Sequence, residues 1–74
     1  MKIVYVYYKN EKDDVVRRGY AFGKGYTFAV RAINNKQSVF EVTKEDGYEK
    51  YVEFRINLDR LIKQEVVEED ETQW

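Results

Sequence analysis

Hydrophobic and polar residues alternate with a period of two along five segments, near residues 2–8, 14–22, 26–33, 37–43 and 48–56. Short polar or glycine-containing turns separate these segments, and Gly and Asn supply the positive φ angles that tight hairpins need. Period-two alternation is typical of strands that bury one face. The sequence therefore predicts a mainly β fold, a single five-stranded antiparallel meander that forms a curled sheet or a small barrel.

Turns of three residues between the last four segments gather the large apolar side chains on one sheet face, and a slip of one residue would exchange the faces. The predicted cross-strand pairs are Phe22–Tyr26, Tyr20–Phe28, Arg18–Val30, Val30–Phe40, Phe28–Val42, Phe40–Val52 and Ser38–Phe54. The resulting core face holds Val16, Tyr20, Phe22, Tyr26, Phe28, Val30, Ala32, Phe40, Val42, Val52, Phe54 and Ile56. The first segment, IVYVYY, is apolar on both faces, which predicts a strand covered on both sides or one whose Tyr hydroxyls reach solvent.

The alternation stops after Arg55, and two alternatives remain open for the element that follows. Leu58, Leu61 and Val66 have helical spacing, which predicts a short C-terminal helix over residues 58–68 that covers the sheet. The pair Val66-Val67 favours instead a turn followed by a sixth strand. In either case we expect residues 1–67 to form a single small β-rich domain and residues 68–74 an acidic C-terminal tail.

The composition adds to the evidence for strands and argues against several kinds of catalytic and metal-binding site. The chain has ten Val and seven Tyr against two Leu, and β-branched and aromatic residues suit a pleated surface. It contains no Cys and no His, so the usual thiolate and imidazole ligands of zinc and copper are missing. Ser38 is its only serine, and the paired carboxylates lack the spacing of a calcium loop. We predict a protein that is not an enzyme and needs no cofactor or metal.

Charge is distributed unevenly along the chain. Residues 1–40 hold eight Lys/Arg and three Asp/Glu, a net charge of +5, whereas residues 41–74 hold five and eleven, a net charge of −6. Two interpretations follow: a basic binding face beside an acidic one, or two halves that neutralise each other in the fold. No apolar run approaches the roughly 20 residues that a membrane helix needs, so we expect a cytoplasmic protein with no membrane partner.

Residues 17–31 combine aromatic, glycine and basic residues. Within them, Arg18-Gly19-Tyr20-Ala21-Phe22 resembles the first five positions of the RNA-recognition signature, although Gly23 and Gly25 stand where that signature continues with an aliphatic and an aromatic residue. The resemblance implies that aromatic rings stack on bases. The alternative function is accordingly a nucleic-acid-binding β-domain that uses Arg17, Arg18, Lys24 and Arg31 with Tyr20 or Tyr26.

The same rings are needed for the core, and this need outweighs the resemblance. Each buried ring contributes about 1.5–3 kcal/mol, and a small domain has only about 5 kcal/mol of total stability. We therefore predict that Tyr20, Phe22 and Phe28 point inward. Arg17 and Arg31 should then lie directly opposite each other on the outer face, where two like charges would attract an anion.

The leading functional prediction is a non-enzymatic protein-binding module. Small phage or mobile-element inhibitors that occupy the surface of a host enzyme or defence complex are the model for it, with the acidic half imitating nucleic acid. A terminal Trp is suited to anchoring a partner because Trp is enriched at interface hot spots. The predicted partner-binding residues are Arg17, Arg31, Glu68, Glu69, Asp70, Glu71 and Trp74. A structural homodimer through strand edges is the third alternative.

Overall fold

The computed structural model describes residues 1–69, which form six strands in two three-stranded antiparallel sheets. The elements are β1 (Lys2–Lys9), β2 (Val15–Ala21), β3 (Tyr26–Ala32), β4 (Ser38–Asp46), β5 (Glu49–Asn57), a 3-10 turn (Leu58–Arg60) and β6 (Leu61–Glu68). Sheet A has the strand order β2-β1-β6, and sheet B has the order β3-β4-β5. The mainly β, antiparallel fold class is confirmed, and neither sheet closes into a barrel.

The prediction of one continuous meander is wrong, because β2 and β3 belong to different sheets. Gly23 and Gly25 both have positive φ, and Gly25 pairs with Glu45 of β4 through a 2.9 Å backbone hydrogen bond. The chain therefore turns a corner here instead of folding back on β2. As a result, the predicted lateral pairs of Phe22, Tyr20 and Arg18 with β3 do not form.

The C-terminal segment settles the alternative between helix and strand. The predicted helix over residues 58–68 is wrong, since helical geometry is limited to the single 3-10 turn. The sixth strand is confirmed: β6 pairs with β1 from Lys2 opposite Glu68 to Tyr8 opposite Leu61. Because β1 pairs with β2 along one edge and with β6 along the other, the backbone of β1 is hydrogen-bonded on both edges. Residues 1–69 contain no helix long and apolar enough to cross a membrane.

Sheet B follows the predicted register on one side and departs from it on the other. Val30 lies opposite Phe40 and Phe28 opposite Val42, as predicted. The predicted pairs Phe40–Val52 and Ser38–Phe54 are wrong, because Phe40 lies opposite Ile56 and Val42 opposite Phe54. The causes are a tight turn between Asp46 and Glu49 and a bulge at Glu53 of β5, which shifts the register by one residue between Thr43 and Val42.

The core lies between the inner faces of the two sheets. Its fully enclosed members are Val6, Tyr20, Phe40 and Val42, with six further hydrophobic residues packed around them. The Tyr20 ring of sheet A lies 5.0 Å from the Tyr26 ring and 5.7 Å from the Phe28 ring, measured between centroids. The predicted contact of Tyr20 with Phe28 therefore exists, but across the two layers rather than along one sheet.

Four residues predicted for the core face are exposed, namely Phe22, Val30, Ala32 and Val52. Phe22 follows the end of β2 and is 58% exposed, with the Lys2 ammonium 5.6 Å from its ring centroid. Val30 is 57% exposed because β3 is an edge strand. The bulge turns Val52 toward the outer face, where it lies opposite Thr43. The core is thus smaller than predicted.

We expect Phe40→Ala to destabilise the domain far more than Phe22→Ala. Removing the fully buried Phe40 ring leaves a cavity and should cost about 3–5 kcal/mol, which is comparable to the whole stability of a small domain. Phe22→Ala removes an exposed ring and should cost less than about 1 kcal/mol. Urea denaturation followed by circular dichroism measures both changes. Equal losses for the two variants would contradict the assignment of the core.

The Tyr20 hydroxyl is buried without a hydrogen-bond partner. Burial raises the pKa of this phenol, and the positive charge of Arg18 only partly opposes the rise. The folded state therefore keeps its full free energy of unfolding below the ordinary tyrosine pKa of about 10. This free energy decreases as pH rises above that value, because the unfolded chain releases the phenol proton more easily. Tyr20→Phe should increase the free energy of unfolding by about 1 kcal/mol at pH 7 and reduce the alkaline loss. Tyr48→Phe, at a fully exposed ring, is the control and should change neither quantity.

Candidate functional site

The outer, solvent-facing side of sheet A carries an ordered group of tyrosines and cations. Side chains alternate along β1, so Val4 and Val6 point to the core while Tyr5 and Tyr7 point outward. Arg17 of β2 lies opposite Tyr7 on one side, and Lys63 of β6 lies opposite it on the other. We call Tyr5, Tyr7, Arg17 and Lys63 the tyrosine–cation face.

The two cations of this face lie against the two rings. The Arg17 guanidinium carbon is 4.2 Å from the centroid of Tyr5, and the Lys63 ammonium nitrogen is 4.8 Å from that of Tyr7. The ring centroids are 6.5 Å apart, and the planes are tilted by 52°. Exposed cation–π contacts of this kind contribute about 0.5–1 kcal/mol each. They hold the four side chains in one arrangement, in which the two cations are exposed and the two rings are half-buried.

Gly19 explains why Tyr5 lies close to the sheet. It is the residue of β2 opposite Tyr5, and a Cβ placed on it would come within 3.0 Å of the Tyr5 ring and 3.2 Å of Ile3. The missing side chain leaves the space that the ring fills. The ring in turn covers a strand position where glycine alone would weaken the sheet.

Hydrogen bonding and charge raise the pKa values of Tyr5 and Arg17. The Tyr5 hydroxyl donates a 2.6 Å hydrogen bond to the Glu69 carboxylate. That bond, together with partial desolvation, raises the pKa of Tyr5, so the phenol stays protonated at neutral pH. Interaction with the Tyr7 hydroxyl raises the pKa of Arg17. Glu65 lies 3.7 Å from the Lys63 ammonium, so acidic groups border the cations.

The predicted juxtaposition of Arg17 and Arg31 is wrong, because the two arginines lie on different sheets. Arg31 is on the outer face of sheet B, where its Nε atom lies 2.9 Å from Glu41 Oε1. Arg55 of β5 lies 2.9 Å from the other oxygen of the same carboxylate. The anion expected near Arg31 thus comes from within the domain. Glu41 itself is only 6% exposed.

The remaining residues of the predicted nucleic-acid set do not share a surface. Arg18 points to the inner side of sheet A, 4.5 Å from the Phe54 ring. Tyr20 is buried, and the ring of Tyr26 lies under the Lys44 ammonium at 4.2 Å. Lys24 lies in the turn between β2 and β3, where its carbonyl oxygen accepts a hydrogen bond from Lys44. The face of each stacking candidate is therefore occupied by core or by a cation.

The described part of the predicted acidic tail lies beside the N-terminus. Glu68 is the last residue of β6, and its carboxylate is 3.2 Å from the Met1 ammonium. Glu69 contacts both Met1, through its carbonyl oxygen, and Tyr5. Asp70, Glu71 and Trp74, the other tail residues predicted to bind a partner, lie outside the described residues.

Two features of the tyrosine–cation face escaped the sequence reasoning. Tyr5 and Tyr7 were not among the predicted binding residues, although valine alternates with tyrosine in IVYVYY and thereby separates an inner from an outer face. Lys63 could not be placed, because its position depends on β6 being a strand paired with β1. No group of three or more His, Cys, Asp or Glu side chains within residues 1–69 could hold a metal ion.

We expect Glu41→Gln to destabilise sheet B. The substitution leaves Arg31 and Arg55 without their shared anion, and both arginines are about half exposed, so solvent limits the loss to about 1–2 kcal/mol. Glu53→Gln, at an exposed carboxylate on β5, is the matched control and should change stability by less than about 0.5 kcal/mol. Urea denaturation at pH 7 measures both variants. A Glu41→Gln protein as stable as the control would show that the two ion pairs contribute nothing.

Comparison with known proteins gives no indication of function. No family model matches the sequence, and neither a curated protein nor a solved structure does. Within residues 1–69, the tyrosine–cation face brings two half-buried rings and two exposed cations together on one side of a sheet.

Proposed function

We propose that the chain is a protein-binding module that contacts its partner through the tyrosine–cation face. The observation that carries the proposal is the pairing of each outward tyrosine with a cation on the open side of sheet A. Tyrosine and arginine are the residue types enriched at protein interfaces and at their energetic hot spots. Both also present a large contact area at the surface of this sheet.

The order already present in the face supports binding. A side chain that becomes fixed at an interface costs about 0.5–1.5 kcal/mol, and side chains held beforehand avoid part of that cost. Arg17 lies over Tyr5, and the Tyr5 hydroxyl is held by Glu69. The rings also lie on the central strand of sheet A, whose hydrogen bonds to both neighbours keep it rigid. The face therefore changes little when a partner arrives.

The charges on and beside the tyrosine–cation face define which partner surface fits it. Arg17 and Lys63 would meet carboxylates, while Glu65 and Glu69 beside them disfavour a uniformly acidic partner. A folded protein with one or two carboxylates next to an apolar patch meets these conditions.

A narrower role follows from the hairpin between β4 and β5. Residues 44–53 hold four Asp/Glu and two Lys, a net charge of −2, and the turn presents the fully exposed Tyr48. Partial desolvation, together with the negative charges of Glu53, Asp46 and Glu49, raises the pKa of Tyr51 on the same hairpin. Within our proposal, this acidic tip imitates nucleic acid toward a basic partner, as expected of an inhibitor from a phage or mobile element that blocks a host enzyme or defence complex.

Nucleic-acid binding is the competing function. It would use aromatic rings with free faces and cations that follow a backbone. The rings of Tyr5 and Tyr7 are covered by cations, Tyr20 is buried and Tyr26 is covered by Lys44. Base stacking on any of them would first have to displace these contacts, which favours the protein-binding proposal.

The proposal is tested by affinity capture from a lysate of the cell that encodes the chain, followed by calorimetry with the captured protein. Tyr7→Ala and Arg17→Glu should each weaken binding at least tenfold, because hot-spot truncations commonly cost about 2 kcal/mol. Lys36→Glu reverses a charge in the exposed loop before β4 and is the matched control for Arg17→Glu. Loss of capture in Tyr48→Ala alone would assign binding to the acidic tip instead.

A parallel titration addresses the competing function. Labelled single-stranded DNA and RNA are added at low salt to the native chain and to Arg17→Glu. We expect no binding that survives into moderate salt. Affinity that falls steeply with salt and disappears in Arg17→Glu would contradict the proposal and assign the face to nucleic acid.

A further inference from the structure

The free edge of β3 differs from the other three sheet edges. Natural proteins protect edges with charged residues, prolines or bulges. The edge strands β5 and β6 carry four and three charged residues, and each has a register irregularity opposite its neighbour. β2 carries two adjacent arginines. β3, with the sequence YTFAVRA, has one charge, no proline and a regular register with β4.

The backbone of β3 shows which groups this edge presents. Backbone hydrogen bonds join Gly25 to Glu45 and Ile33 to Gln37, at 2.9 Å in both cases. In a regular antiparallel pair, hydrogen-bonded and non-hydrogen-bonded positions alternate. The odd-numbered residues therefore bond to β4. The N–H and C=O groups directed away from β4 are those of Tyr26, Phe28, Val30 and Ala32.

From this pattern we infer that β3 is a self-association strand, which pairs antiparallel with β3 of a second copy about a twofold axis at Ala29. Complete overlap of the two strands places Phe28 opposite Val30 of the partner subunit and Tyr26 opposite Ala32 of the partner subunit. These are the residues whose backbone groups point outward, so each such pair exchanges two hydrogen bonds. Two copies of sheet B then form one six-stranded sheet.

The side chains are self-complementary in this register. The single charge, Arg31, lies opposite Thr27 of the partner subunit, so no like charges meet. Ala29 lies opposite its own copy, and its small side chain permits close approach. Val30, which is 57% exposed in the single chain, gains the ring of Phe28 as its cross-strand neighbour.

The same construction fails for β2. Complete overlap of two β2 strands is centred on Arg18, which would lie opposite Arg18 of the partner subunit. Like charges in direct opposition destabilise a strand pair. A second copy at β3 fits the observed charges, while a second copy at β2 does not. The inference concerns sheet B alone and leaves the tyrosine–cation face of sheet A open.

Disulfide trapping tests the register, because the chain contains no cysteine. Ala29→Cys places one thiol on the twofold axis, at a non-hydrogen-bonded pair with a Cα separation of about 4.5 Å, which is within disulfide range. Mild oxidation should convert this variant to a covalent dimer on a non-reducing gel. Val52→Cys, on the opposite edge strand of the same sheet, should stay monomeric. Equal cross-linking of the two variants would overturn the inference.

Sedimentation over a concentration series tests the association itself. Ala29→Lys puts two like charges directly opposite each other in the dimer; in the single chain it lies opposite Glu41, which already binds Arg31 and Arg55, so urea denaturation is used to confirm that the variant folds. We expect its dimer dissociation constant to be at least tenfold weaker than that of the native chain and of Val52→Lys. A native chain that remains monomeric up to about 1 mM, a weak-binding limit of roughly −4 kcal/mol, would overturn the inference.

Discussion

The fold depends on β1, which pairs with another strand along each of its two edges. β1 has Val4 and Val6 facing the core and Tyr5 and Tyr7 facing out, and it receives backbone hydrogen bonds from both β2 and β6. Its pairing with β2 on one edge and β6 on the other brings the first and last described strands together in sheet A. β2 and β3 lie in different sheets, so the two layers are joined by the turn between these strands and by the packing of their inner faces.

That division leaves little apolar volume inside. With three strands in each layer, the core consists of a few valines and aromatic rings, and contacts such as Tyr20 against Phe28 have to connect the layers. Several large side chains remain at the surface as a consequence, among them Phe22 and Val30. Within the described residues, the fold exposes the outer faces of its two sheets and their four strand edges to potential partners, which is where the proposed interactions lie.

The sequence predicted what depends on local pattern and missed what depends on pairing over distance. Alternation and turn residues were sufficient for the β class and for the match of Phe28 with Val42. They could not show that Gly25 would pair with Glu45 and so direct β3 away from β2. Nor could they reveal the bulge at Glu53 of β5, which moves Val52 to the outer face, since Val52 and Phe54 on either side of it still read as regular alternation. The tyrosine–cation face was missed for the same reason, because Lys63 joins Tyr7 only through the last strand.

Glu41 has a consequence that extends across sheet B. Its two carboxylate oxygens bind arginines that belong to the two outer strands, one to each. A single anionic group thereby fastens three strands together. If Arg31 is drawn away, Arg55 is left as the ion-pair partner of Glu41, so the two edge strands of sheet B compete for one carboxylate.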